Sequence, residues 1–131
     1  LELPFMATSV DGENWTDIPQ PLMGHTGWHT YFTRPAMLMP MGPAFVLYYE
    51  GSGKDWFDPV YNIQGGIAMS LDLKTFIDIT PNAPIFKTPT PGRYTTLRYT
   101  DYLALEDRVL FYYEAARPND SSEIRVTEVR L

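Results

Sequence analysis

The chain has 131 residues, 44% of them apolar, which suits one domain with a real core and argues against disorder. Its net charge of −6 argues against nucleic acid and against an anionic membrane surface as partners, because both repel acidic protein. With no cysteine there is neither a disulfide nor a thiolate metal site, the compartment is left open, and no apolar run approaches the roughly 20 residues of a membrane helix.

In chain order, the first strand-like runs are residues 5–9 and 15–18, joined by Ser9-Val-Asp-Gly-Glu-Asn-Trp15. In that turn Asp11 can accept hydrogen bonds from backbone N–H groups, and Gly12 can take a positive φ. Trp15 is expected to be buried, filling the gap between neighbouring sheets. A loop with two His and one Trp follows, Gly24-His-Thr-Gly-Trp-His-Thr30. The next runs are 31–38 and 45–50. A long connection, Gly51 to Tyr61, then leads to 67–70 and 76–79. The last runs are 95–103, 109–114 and 124–129. All are short, rich in aromatic and β-branched residues, and bounded by Gly, Pro, Asn or Asp, as strands are. Prolines recur throughout and no stretch holds an apolar stripe at helical spacing, so long helices are not expected.

These runs repeat. Residues 7–18 recur at 68–79 with Ala, Ser, Asp, an aromatic, Asp and Ile in matching places. Gly27 to Leu38 aligns with Gly92 to Leu103, and Val46-Leu-Tyr-Tyr-Glu50 with Leu110-Phe-Tyr-Tyr-Glu114. Four short antiparallel strands, A to D, at a period of about 60 residues are the pattern of a β-propeller blade. The fold class is therefore all-β, with about two blades in strand order C-D-A-B-C-D-A-B-C. Residues 1–26 supply strands C and D of a first blade, 27–91 a complete blade, and 92–131 strands A to C of a further one.

The pattern Ala-x-Ser-x-Asp-Gly/Leu-x-x-Trp/Phe resembles the blade turn of the five-bladed β-propeller glycoside hydrolase superfamily, which holds arabinanases, xylosidases, levansucrases and invertases. Arg34-Pro35 followed by Val46-Leu-Tyr-Tyr-Glu-Gly51 is similar to its A–B hairpin. Leu97-Arg-Tyr-Thr-Asp-Tyr102, Leu110-Phe-Tyr-Tyr-Glu-Ala-Ala116 and Asp120-Ser-Ser-Glu-Ile-Arg125 resemble its last blades. The superfamily's enzymes set three carboxylates on the innermost strands of their first three blades. This chain resembles the later blades only, so the resemblance implies the fold and leaves those carboxylate positions unmatched.

Strand A lines the channel of a propeller, so its polar residues are the first candidates for chemistry. Arg34 lies in one such strand, and Arg98, Tyr99 and Asp101 in the next. Alternation would point Tyr99 and Asp101 one way and Arg98 and Thr100 the other. Asp101 is either a channel carboxylate or an ion-pair partner of Arg34 or Arg98. Glu50 and Glu114 end the two B strands. Either carries a general acid of the kind glycoside hydrolysis needs, or both satisfy an arginine or backbone N–H groups. Recurrence in both repeats favours the second. Trp28 and His29 precede strand A, where they either rim a sugar pocket or pack an ordinary loop. A metal on His25 and His29 has no carboxylate close in sequence, so no metal or other cofactor is assigned. Trp56, with Phe57 and Asp58, lies in the long B–C connection and ranks second.

Two functions fit. One is a glycosidase-like propeller that binds or processes carbohydrate by paired-carboxylate chemistry. The other is a non-catalytic propeller module for glycan binding or assembly. On the first, Trp28, His29, Arg34, Tyr99 and Asp101 are expected to face one opening. Two blades leave open sheet edges, so association of identical chains through those edges, as dimer or trimer, is expected unless the chain is part of a longer five-bladed protein. Leu1 in place of an initiator Met suggests that an upstream piece or a tag has been removed.

Overall fold

The structure is a computed structural model that describes residues 2–55, 62–90 and 92–131. Among the described residues there is no helix, and nine strands form three antiparallel sheets. The first sheet is a hairpin of β1 (Met6–Thr8) and β2 (Thr16–Ile18). The second has four strands in simple meander order: β3 (Phe32–Met41), β4 (Ala44–Ser52), β5 (Gln64–Ser70) and β6 (Ile77–Asp78). The third is β7 (Leu97–Ala104), β8 (Arg108–Ala116) and β9 (Ser122–Arg130). The first strands of the second and third sheets, β3 and β7, lie side by side. This is a partial propeller seen as one blade and parts of two others.

Local chemistry accounts for the turns. Asp11 Oδ1 accepts from the N–H groups of Glu13 and Asn14, at 2.9 and 2.8 Å, and Ser9 Oγ accepts from that of Gly12. The second copy is built alike. Asp72 Oδ1 accepts from Lys74 and Thr75, and Ser70 Oγ from Leu73. Hydrogen bonds from the Asn14 side chain and backbone hold Asp11 well below the usual carboxylate range. Leu73 occupies the place of Gly12 and takes the same left-handed conformation, φ 61° against 78°. Between β3 and β4, Gly42 at φ 59° precedes Pro43, the positive-then-negative order of a tight II′ hairpin.

The core sits on the paired strands β4 and β5. Leu47, Tyr49 and Ala68 are buried there with Met23, and Trp28 and Phe76 pack against them. The pair Gly65-Gly66 opens β5 because two tyrosines of β4 lie across it. A Cβ on Gly66 would stand 2.5 Å from the Tyr49 ring, and one on Gly65 2.0 Å from the Tyr48 hydroxyl. The sheets are joined by backbone as well as by packing. Leu97 N–H of β7 donates to Ile63 O, next to β5, at 2.9 Å, and Ile85 and Phe86, in the connection that leads to β7, donate to Gly65 O of β5.

Two sequence expectations are corrected here. Trp15 is 62% exposed, whereas its counterpart Phe76 packs on the core. The difference lies in what surrounds them: β2 pairs only with β1, while β6 belongs to a four-stranded sheet. The alignment of Gly27 to Leu38 with Gly92 to Leu103 is also one residue off. The ladders place Arg34 opposite Glu50 and Arg98 opposite Glu114, so Arg34 corresponds to Arg98.

Gly27 offers a sharp test of the packing. Its φ is 54°, and a Cβ there would fall 1.6 Å from the carbonyl oxygen of Pro81. Neither backbone can move without shifting a strand connection. Gly27→Ala is therefore expected to destabilise the fold by about 3 kcal/mol, read from the urea midpoint. A change within experimental error would contradict this placement of the loop.

Candidate functional site

Both innermost strands carry the same irregularity. The register shifts between Pro35 and Met37 in β3, and between Arg98 and Asp101 in β7. Each shift inserts one residue opposite a continuous partner strand, a β-bulge. In β7 the bulge puts Tyr99 at φ 55°, a conformation that costs an L-residue about 1–2 kcal/mol. Thr100 is 6% exposed while Tyr99 and Asp101 stand exposed, so these three residues keep the alternation expected from sequence. Tyr99, Thr100 and Asp101 together with Arg34, Pro35, Ala36 and Glu50 line one open recess of about 290 Å³.

Glu50 organises this recess. It is 1% exposed, and its Oε2 accepts from Arg34 Nη2 at 2.5 Å and from Nε at 3.2 Å. Its Oε1 accepts from the Thr100 N–H at 3.3 Å, across the boundary between the sheets. One carboxylate thus ties its own strand pair to the bulge of the next. The Arg34 guanidinium lies 5.2 Å from the centre of the Tyr99 ring, and that of Arg98 4.9 Å from it. Arg98 is in turn bonded to Glu114 at 2.6 Å. Tyr99 keeps 58% of its surface exposed between these two held cations. Asp101 is exposed, accepts from the Tyr102 N–H and has no arginine partner among the described residues. The ion pair of Asp101 with Arg34 or Arg98 weighed from sequence is corrected: both arginines are taken by the glutamates opposite them in the ladder.

Trp28 and His29 do not share this recess. Trp28 donates from Nε1 to Thr80 O at 2.8 Å and stacks on Tyr49, with ring centres 5.7 Å apart. His29 is fully buried, with Nδ1 bonded to Thr33 Oγ1 at 2.7 Å and Nε2 to Asp78 Oδ2 at 3.1 Å. Tyr49 donates to the other oxygen of Asp78 at 2.9 Å. A carboxylate only accepts, so the neutral imidazole donates from Nε2 and accepts a hydrogen bond from the Thr33 hydroxyl at Nδ1. Hydroxyl, imidazole and carboxylate are connected as in a nucleophilic triad, yet Thr33 is 1% exposed and no substrate carbonyl reaches it. The single opening expected for five residues is thus corrected to three, Arg34, Tyr99 and Asp101. The loop holding Trp28 and His29 locks β3 onto β6. His25 contacts the Glu2 carbonyl oxygen. Trp56, Phe57 and Asp58 lie outside the described residues.

Sequence reasoning missed Pro35, Ala36 and Thr100 as recess-forming residues, because a bulge carries no residue signature in β3 or β7. It also passed over Thr33 and Asp78. The recurrence of Asp17 and Asp78 in the repeat was the available signal for Asp78.

No family model matches the chain, and no curated protein does. Solved structures do. One described as a glycoside hydrolase superposes with a TM-score of 0.69 at 21% identity, over 93% of this chain and 34% of its own. Another, described as a BT0996 RGII complex, gives a TM-score of 0.68 at 20% identity, over 95% of this chain and 35% of its own. The fold is glycoside hydrolase-like. This chain spans about a third of the length of the structures it resembles.

The repeated Arg–Glu pairs differ in burial, and their removal should differ in cost. Glu50→Ala strands Arg34 and the Thr100 N–H together, and is expected to destabilise by about 2–3 kcal/mol. Glu114→Ala, at a largely buried pair whose glutamate keeps 23% exposure and bonds the arginine alone, is expected to cost less, about 1–2 kcal/mol. Equal losses in urea unfolding would contradict the linking role of Glu50. The buried imidazole sets a pH dependence. Burial pushes the pKa of His29 down, and the Asp78 carboxylate opposes this without cancelling it. The unfolded chain then binds the proton more readily than the fold, so His29's contribution is complete above about pH 6.5 and is lost as pH falls below it. The unfolding midpoint should drop between about pH 7.5 and pH 5.5, and His29→Gln should flatten that slope.

Proposed function

We propose that this chain is a carbohydrate-binding part of a glycosidase-type propeller, with the sugar held in the recess between β3 and β7. The observation that carries the reading is Tyr99. A strained backbone turns an aromatic ring into the open, and two arginines fixed by their own glutamates hold it there. Strain maintained by surrounding structure concentrates at ligand sites. An exposed ring offers a stacking surface to the apolar face of a pyranose or furanose. Asp101 supplies an acceptor for sugar hydroxyls beside it, and the Arg34 guanidinium a donor. The names of the solved structures that share the fold, one a glycoside hydrolase and one an RGII complex, agree with a polysaccharide ligand.

The reading is binding rather than turnover by these acids. Glycoside hydrolysis needs one carboxyl to deliver a proton and a second to act as base or nucleophile. Glu50 and Glu114 are both occupied as acceptors of arginine hydrogen bonds. That is a positioning task, and it leaves Asp101 as the acid that faces a ligand. The non-catalytic glycan module considered from sequence is therefore the version of the function these contacts support.

Affinity electrophoresis against a panel of plant and bacterial polysaccharides tests it. Asp101→Asn and Tyr99→Ala should each weaken retention by about tenfold, with unfolding midpoints close to the parent. Retention that is unchanged in both variants, or absent in the parent, would rule the recess out. Reducing-sugar release that survives Asp101→Asn would move any catalysis elsewhere in the molecule.

A further inference from the structure

Granted the reading of the recess between β3 and β7 as a sugar site, on which this rests, we infer that Arg98, held by Glu114, is a positioning residue of that recess. It fixes the Tyr99 ring in place for the sugar and does not meet the sugar there itself. Both walls of the recess belong to this chain. The ladders make Arg34 and Arg98 equivalent, yet the two stand differently to it. Arg34 lines the recess, and its side chain is 33% exposed. Arg98 is not among the described residues that line it, and its side chain is 16% exposed. Even so, the Arg98 guanidinium lies nearer the Tyr99 ring, at 4.9 Å against 5.2 Å for Arg34.

Tyr99 needs such a hold. The β7–β8 ladder breaks between Arg98 and Asp101, so Tyr99 has no ladder partner on β8. Its backbone is in the left-handed region, and 58% of the residue stays exposed. Ordering an exposed side chain on binding costs affinity, and a ring already held by a neighbouring cation is spared that cost. Arg98 can act as the hold because it is itself fixed. Its Nε donates to Glu114 Oε1 at 2.6 Å, a charge-assisted bond that sets where the guanidinium lies. The two repeated glutamates therefore have different tasks. Glu50 divides its oxygens between Arg34 and the Thr100 N–H and joins the sheets. Glu114 bonds its arginine alone, and through it reaches the ring that faces the ligand.

A double-mutant cycle read by affinity electrophoresis, in gels holding arabinan, xylan, pectin or dextran, tests this on the whole chain. Arg98→Met should weaken retention by about three- to fivefold, as loss of a cation from a ring does. Glu114→Gln, which frees Arg98 but keeps its charge, should weaken it by about twofold and serves as the second variant. In a Tyr99→Ala background neither change should weaken retention further, because a residue that acts through the ring then has nothing to act on. The Tyr99 ring resonances, identified by their loss in Tyr99→Ala, should shift in Arg98→Met before any sugar is added. Far-UV circular dichroism of each variant should match the parent. Retention unchanged in both Arg98→Met and Glu114→Gln overturns the proposal while leaving the sugar site standing. So does a further loss in the Tyr99→Ala background, which would make Arg98 a ligand contact or a purely structural residue. A parent that none of the four polysaccharides retains fails the sugar site itself, and this proposal with it.

Discussion

A buried carboxylate that bonds in two directions is the constraint from which the rest of the molecule follows. Glu50 is at the end of β4, where the strand alone would leave a charge in the interior. Such a group is tolerable only when its oxygens are satisfied. One oxygen takes the arginine across the ladder on β3, and the other takes a backbone N–H from the next sheet. The second bond is possible only because β7 is bulged and frees a donor at Thr100. The bulge, in turn, forces Tyr99 into a left-handed conformation and out toward the channel. Sheet-to-sheet docking, backbone strain and an exposed aromatic are thus consequences of one hydrogen-bonding requirement. The candidate binding recess is the seam between sheets, and its walls come from both.

The tightest packing lies elsewhere in the same sheet and does different work. His29 looks like a functional group in isolation: an imidazole between a hydroxyl and a carboxylate. Its burial decides otherwise. Both nitrogens are used to hold Thr33 on β3 and Asp78 on β6, the two edge strands of a four-stranded blade. Tyr49 from β4 reaches the same carboxylate. Asp78 is thus tied to β4 directly and to β3 through His29, and the stacked rings of Trp28 and Tyr49 close over the network. The loop before β3 belongs to the blade's core. Polar residues serve here because the strands must be joined edge to edge, where hydrophobic contact alone is not directional.

The repeat also explains where the chain is incomplete as a surface. The hairpin β1–β2 and the sheet β7–β9 are equivalent to parts of the central blade, and residues whose counterparts are buried stand exposed in them. Trp15 against Phe76 and Tyr112 against Tyr48 are the clearest pairs. Identical local chemistry with different burial means that neighbouring sheets, not the strands' own sequences, bury these side chains.

Much of the architecture was legible in the residues. Asp and Ser at matching places in two turns specify two hairpins through local hydrogen bonds alone, and short aromatic runs bounded by Gly and Pro mark strands. The period gave the blade, and the recurrence of Glu50 and Glu114 favoured acceptors for an arginine or backbone N–H groups over a general acid. These features are short-range, so sequence determines them. What sequence did not contain was the extra residue in β3 and β7. A bulge is settled by competition between ladder hydrogen bonds and a carboxylate some 50 positions away, and no local pattern records the outcome. The same is true of His29 and Trp28, which read equally well as ligands or as core until Asp78 and Thr80 were brought against them. Residue types fixed which bonds were available; only the assembled sheets decided which were made, because each partner lies on a strand that the chain reaches by folding back.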